Sequence, residues 1–240
     1  MNLIRKGHRQ SHRGVIGVES AIVMIAFVIV AAALAFVVLN MGFSTTQKAK
    51  TTIVSGLGEA SSSLEVSGKV FGSGHVSAAK LNVTAFPIKI ASGGESVNLA
   101  NTTAAVKYLS NTLSYDNIYK GTLTTTAQDD GDGTADGQWL QLSEAAETAK
   151  QEAFINDNPF ESDGSSWPSE TKAFIYWTVN SNNNDILDQG EHAVLAIVYA
   201  ADDRPSALDK VRAEVLVPSG AALTVERQVP SITTEVVDLG

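Results

Sequence analysis

The sequence predicts an α+β protein: one long hydrophobic helix at the amino terminus, then an antiparallel β-sandwich. Three observations predict it. Ala21 to Leu39 reads AIVMIAFVIVAAALAFVVL, without one polar side chain. From about Val66 onward, short β-branched and aromatic runs alternate with clusters of Gly, Ser, Asn and Asp, the rhythm of an antiparallel sheet protein. Arg5, Lys6, Arg9 and Arg13 crowd the first fourteen residues with no acid among them, whereas the remainder is acidic. The expected organisation is a basic leader over residues 1–14, a helix over 15–65 and a β domain over 66–240.

The helix comes first. Nineteen apolar residues make a helix about 28 Å long, close to the hydrocarbon thickness of a bilayer. A cleavable secretory signal has a shorter apolar region of about 7–15 residues. A membrane anchor with its basic flank on the cytoplasmic side fits better, although Lys48 and Lys50 lie beyond the far end. Three details exceed a plain anchor. The basic stretch stops at Arg13-Gly14, just before the apolar run opens at Val15. Glu19 stands at the entrance to that run, where an unpaired carboxylate is costly. Ala49, Ile53, Leu57, Ala60 and Leu64 then continue a helical stripe, weakened by Gly56 and Gly58. A helix that is apolar and then amphipathic suits a bundle made with copies of itself.

The basic leader, Arg13-Gly14 and the segment VIGVESAIVMIAFVIVAAALAFVVLNMGFSTTQKAK resemble the class III signal and amino-terminal helix of archaellins, the archaeal flagellar filament subunits of the type IV pilin superfamily. The resemblance covers about residues 10–66. It implies that a prepilin peptidase cuts between Gly14 and Val15, making Glu19 the fifth mature residue. Its carboxylate could then neutralise a neighbour's new α-amino group inside an apolar core. The plainer reading places Glu19 at the headgroup level, favouring the helix amino terminus.

In the β domain the strand candidates are Leu81–Ile90, Ala104–Leu109, Thr112–Tyr115, Ala173–Val179, His192–Tyr199, Val211–Val217, Leu223–Gln228 and Ile232–Val237. Their spacing near ten residues suggests a sandwich. The resemblance implies an immunoglobulin-like one. Pro87 is expected to confine its strand to an edge or a bulge. Ser143–Asn156 reads as a short helix capped by Ser143.

Two polar loops carry the candidate chemistry. In Asn180–Glu191, NSNNNDILDQGE, oxygen-bearing side chains fall at positions one, three, five, nine and twelve: Asn180, Asn182, Asn184, Asp188 and Glu191. The Ile186 carbonyl stands at seven. That is the ligand rhythm of an EF-hand-like loop, in which oxygens converge on one hard cation. Asp185 occupies position six, where such loops carry glycine, and three neutral amides make any calcium binding weak. The competing reading is an Asn-rich turn between strands. Gln128–Gly137, QDDGDGTADG, could hold a cation but reads first as an exposed acidic turn. Asn82-Val83-Thr84 and Asn101-Thr102-Thr103 are glycosylation sequons, with Asn101 in the more open setting.

Composition excludes several classes. The chain has 240 residues and no cysteine, which rules out disulfides, thiolate metal sites and cysteine nucleophiles. Its net charge is −9, and without the four leader cations thirteen Lys and Arg face 26 acids. Such a surface repels phosphate backbones, so nucleic acid is not an expected partner. Outside the leader only His75 and His192 remain, and Ser73 lacks a nucleophile-elbow pattern, so no catalytic set is expected. Trp139, Trp167 and Trp177 could form a sugar platform, but Trp177 sits mid-strand and reads as core.

The expectation is therefore a secreted structural subunit, not an enzyme. It polymerises with copies of itself into a surface filament through its helix, packing at Ala31, Ala32, Ala33 and Ala35. Its partners would be a prepilin peptidase and the archaellum secretion and motor machinery, and the precursor would sit in the cell membrane. The alternatives are an adhesion pilus subunit of the same superfamily and a membrane-anchored binding module.

Overall fold

The computed structural model describes residues 13–61, 64–123, 138–139, 141–160, 167–218 and 220–240. Leader residues 1–12 and the acidic loop Gln128–Gly137 lie outside the described residues. The chain divides between Ser55 and Gly56 into two compact units.

Helix α1 runs over Arg13–Ser61, 49 residues without interruption. Gly17, Gly42 and Gly56 do not break it: each costs only about 1 kcal/mol relative to Ala, spread along a 49-residue helix. Thr45, Thr46, Thr51 and Thr52 each fold a hydroxyl back onto the carbonyl four residues earlier, at 2.8–2.9 Å. Their donors are thereby satisfied within the helix. The stripe expected to end at Leu64 does not: Leu64 is buried in the first strand of the β unit.

That unit contains β1 (Leu64–Val66), β2 (Phe71–His75), β3 (Lys80–Ile90), β4 (Val97–Asn98), β5 (Ala105–Leu109), β6 (Ser114–Tyr115) and β7 (Tyr119–Thr122). Helix α2 (Leu142–Gln151) follows, then β8 (Lys172–Val179), β9 (Ile186–Leu187), β10 (His192–Val198), β11 (Lys210–Leu216), β12 (Leu223–Gln228) and β13 (Val236–Asp238). The large sheet has the order β13-β2-β3-β10-β8-β7, with β1 also on β3; the second is β12-β11-β5-β6; β4 and β9 form a small pair. Among the described residues every pairing is antiparallel except β7 with β8. One continuous apolar cluster draws on both main sheets, with Phe86, Phe174 and Trp177 from the large one, Tyr199 just beyond β10, and Tyr108, Val211 and Val225 from the other.

Three local expectations are corrected. Pro87 lies in β3, a central strand paired on both sides, opposite Val194 of β10. Its carbonyl accepts the Ser67 N–H at 2.8 Å, so its missing N–H faces the gap between β1 and β2, where no ladder bond is needed. Ser143 does not cap α2. The helix starts one residue earlier, after Gln141, with no side-chain cap bond. Burial of Ala145, Ala146 and Ala149 sets its position instead. It ends at Gln151 rather than Asn156, because Ala153 turns left-handed at φ 60° and folds Phe154 and Ile155 back onto the Ala149 carbonyl.

Strand β2 contains two glycines, and the carboxyl-terminal segment crosses directly over it. A side-chain carbon at Gly74 would come within 2.7 Å of Ile232 and 2.8 Å of the Thr234 carbonyl. For the same reason the expected strand Ile232–Val237 shrinks to Val236–Asp238: Ile232 is an anchor in the core.

Candidate functional site: the apolar helix and the Asn-rich loop

Gly14 and Val15 fall in the first turn of α1. From Gly17 to Gly56 the helix is long and apolar enough to cross a membrane, and none of its most apolar stretch is buried. Met24, Phe27 and Leu39 are 73–76% exposed, and Val18, Ile22, Phe36, Met41, Phe43 and Ile53 are similarly bare. Glu19 is exposed among them, and no described ion pair includes it. Ala31, Ala32, Ala33 and Ala35 are exposed on one continuous turn. At about 100° per residue, Ala31 and Ala32 lie on the same side as Ala35, which follows them by four and three residues, while Ala33 points away. A helix apolar on all sides belongs in an apolar surrounding.

The Asn-rich loop links β8 to β10. Glu191 is its hub: although 2% exposed, it accepts the Ser181 N–H at 2.8 Å and the Asp188 N–H at 2.9 Å, one on each carboxylate oxygen. Asn182 donates to the other acid, Asp188, at 2.6 Å, and Ser96 Oγ donates to Asp188 as well. Asn180 Oδ1 accepts from Asn182 and Asn183, and Asn184 Oδ1 accepts from Ile186. The loop thus brings Asn180, Asn182, Asp188 and Glu191 together, while Asn184 closes its own small turn. The positive-φ residues of the loop are Asn183, φ 52°, and Gly190, φ 96°, not Asp185 as the glycine position had implied. Asp185 is held elsewhere: its carboxylate accepts the Thr122 hydroxyl and its carbonyl the Leu99 N–H.

This donor set is all oxygen, with two carboxylates and several amides, which suits a hard cation in kind. Among the described residues, no group of three or more His, Asp and Glu is placed to hold a metal ion, so the amides have to supply the remainder.

The two sequons differ sharply. Asn82 is 6% exposed inside β3, and its Oδ1 lies 3.4 Å from the Arg204 guanidinium. A glycan on its side chain has no room, which corrects that expectation. Asn101 is exposed in a turn, donating to the Lys120 carbonyl at 3.2 Å.

The remaining candidates are structural. Trp177 and Trp139 are buried, Trp139 donating to Thr148 of α2. Trp167 packs with Arg204 at 4.1 Å and with the edge of His75 at 5.5 Å, a cluster that the sequence had not brought together. His192 opens β10, 3.3 Å from the Ser67 hydroxyl. Burial pushes the Tyr108 hydroxyl up to about 12 and raises Tyr199, bonded to Thr84, well above its ordinary value. These phenols stay neutral packing groups at any working pH.

The profile of archaeal-type flagellins matches residues 14–227. The chain is 34% identical over 223 residues to probable flagellin 1 of Aeropyrum pernix, covering 91% of this chain and 93% of that protein. It is 37% identical over 164 residues to flagellin FlaB2 of Saccharolobus shibatae, covering 66% and 54%. Its fold matches the archaeal flagellum of Methanospirillum hungatei with a TM-score of 0.55 at 22% identity, over 93% of this chain and 99% of that one. It matches flagellin FlaB1 of Methanocaldococcus jannaschii at 0.53 and 15% identity, over 74% and 96%. With a family match across most of its length, the chain belongs to the archaeal-type flagellins.

Proposed function

We propose that this chain, a structural subunit of the archaeal flagellar filament, polymerises through α1. The observation behind this is the bare helix. Burying each large apolar side chain contributes about 1.5–3 kcal/mol, so the exposed set from Val18 to Val54 represents tens of kcal/mol in water. Lipid can cover it before assembly, and copies of the same helix afterwards. The precursor is anchored in the cell membrane through this segment. A prepilin peptidase removes the cationic leader, a class III signal, between Gly14 and Val15. The secretion machinery then moves the helix from lipid into the growing bundle, and a separate motor turns the filament.

Within the bundle Glu19 pairs with a neighbouring α-amino group, and Ala31, Ala32, Ala33 and Ala35 allow close backbone approach. The back-bonded threonines support this role, since their hydroxyls need no partner from a neighbouring helix. Asn180, Asn182, Asn184, Asp188 and Glu191 would hold a weakly bound calcium ion, which would brace the β8–β10 connection. Asn101 carries an N-linked glycan. Contacts between identical subunits that do not close produce an open helical polymer.

Hydroxyl-radical footprinting tests the assembly claim. In sheared filaments Met24, Phe27, Phe36, Met41 and Phe43 should be protected, each of them at least 68% exposed in the single chain. Reactivity there equal to that of exposed residues in the β unit would overturn the proposal.

A further inference from the structure

Outside the leader the chain has twice as many acids as cations, yet three of its lysines gather around one hollow of the β unit. This open cavity of about 400 Å³ lies where β7, the end of α2 and the start of β8 meet. Lys120 comes from β7, Lys150 from α2 and Lys172 from β8, with Phe154 and Glu170 beside them. Left-handed Ala153 turns the chain at the end of α2, so the Phe154 N–H returns to the Ala149 carbonyl at 2.8 Å and brings its ring to the wall. Lys172 is matched by Glu170 at 2.8 Å and Lys150 by Asp157 at 3.6 Å. Lys120 is exposed and enters none of the ion pairs among the described residues. The hydrogen bond from Lys172 and, at longer range, Lys120 hold the Glu170 carboxyl below its ordinary value.

A second, independent observation is what borders the hollow. Asn101, the exposed sequon residue, donates to the Lys120 carbonyl at 3.2 Å. A side-chain carbon at Gly121 would stand 3.4 Å from the Phe154 ring and 3.6 Å from Asn101 Cβ, so the two side chains meet over a glycine. Gly121 has φ 142°, a backbone that disfavours any side chain, and its bareness leaves the way from Asn101 to the hollow open.

We propose that this hollow seats an acidic sugar of the N-linked glycan carried on Asn101 of the same chain. The inference rests on the reading of Asn101 as glycosylated. A sugar ring lays its apolar face on an aromatic side chain, and a carboxylate or sulfate on it would accept charge-assisted hydrogen bonds from the Lys120 ammonium. The Asn101 amide keeps one N–H after glycosylation, so its bond to the Lys120 carbonyl survives. The chain's own glycan is the fitting occupant because its attachment point stands at the rim. A short tether raises the local concentration into the millimolar range, where one charged contact and one ring suffice.

Amine labelling of the depolymerised full-length subunit tests this, because no neighbouring copy then covers the lysines. Wild type is compared with Asn101→Gln; Thr103→Ala, which removes the sequon but keeps Asn101, replaces it if that variant does not fold. Lys120 and Lys172 should label several-fold more slowly in the glycosylated wild type, while Lys210 on the other sheet labels equally in both. The protection should vanish in about 1 M salt, which screens charges beyond about 3 Å. Equal rates in glycosylated wild type and variant would overturn the inference. So would protection that persists in high salt, which means shielding by bulk, or a glycan whose mass shows neutral sugars only. A wild type without sugar on Asn101 would overturn the glycosylation reading, and this inference with it.

Discussion

Glu191→Ala probes the centre of the Asn-rich loop. The side chain is 2% exposed and its two oxygens accept backbone N–H groups from Ser181 and Asp188 at 2.8 and 2.9 Å. Hydrogen bonds to a charged acceptor are worth about 1.5–3 kcal/mol each, and truncation strands both donors in a buried place. The expected loss is therefore about 3–6 kcal/mol, which in a domain of this size is a fall in melting temperature on the order of 10 °C. Glu191→Gln keeps one acceptor but turns an NH₂ toward the other donor, so it should lose about half as much. The assay is thermal unfolding of the depolymerised full-length subunit, followed by fluorescence of the buried Trp177 and Trp139, with and without chelator. Calcium at this loop requires that chelation destabilise the wild type and leave both variants unaffected. A wild type indifferent to chelator reduces the loop to a turn. An alanine variant within about 1 kcal/mol of wild type would refute the hub itself.

Three further outcomes follow. Amino-terminal sequencing of sheared filaments should read Val-Ile-Gly-Val-Glu from Val15; an intact Met1 would rule out leader removal. Glycopeptide mass spectrometry should find added mass at Asn101 and none at Asn82, and Asn101→Gln should abolish it; unmodified Asn101 in mature filaments would count against the site. The Ser206 N–H, and then its hydroxyl, hold the Asp209 carboxyl below its ordinary 3.8. A depressed carboxylate stabilises the fold above that value and loses the contribution as pH falls through its lowered value, so Asp209→Asn should flatten the decline in stability below about pH 4. An unchanged acid limb would show that the turn draws no stability from the charge.

The helix was legible because its information is compositional: no arrangement of neighbours alters what a nineteen-residue apolar run requires. The strands that sequence placed well, such as Lys172–Val179 and His192–Val198, alternate or bury whole runs of Val, Ile and Phe. Those it missed depend on distant chain. Phe71–His75 reads as a glycine-rich loop until the carboxyl terminus crosses over Gly74, and Ile186–Leu187 is a strand only because Val97–Asn98 pairs with it. Pro87 misled because local rules do not know that its missing N–H meets a gap. The loop's oxygen spacing was visible, but not the capture of Asp185 by Thr122 or the left-handed turn at Asn183. Sequons are equally blind to burial, as Asn82 shows. The left-handed Leu208 in the Ser206–Asp209 turn has no local signal, since the hydrogen bonds around it reach Val229, Gln228 and Asn111 far along the chain.

The central claim is that α1 is a packed assembly element rather than a simple anchor, and substituting Phe for the cluster alanines tests it most directly. Ala31, Ala32, Ala33 and Ala35 are all exposed in the single chain, so a larger side chain has no neighbour to disturb within it. In a tightly packed bundle each enlargement costs about 1–3 kcal/mol per subunit, repeated along the whole polymer. The measurement is the yield and length of sheared filaments from cells expressing each of the four Phe variants, beside the amount of subunit in the membrane. The account predicts normal membrane levels with short or absent filaments for the positions that face a neighbour, Ala32→Phe included. Filaments of unchanged length and yield from all four would contradict it, because Phe is at least as soluble in lipid as Ala and only a packed interface distinguishes them.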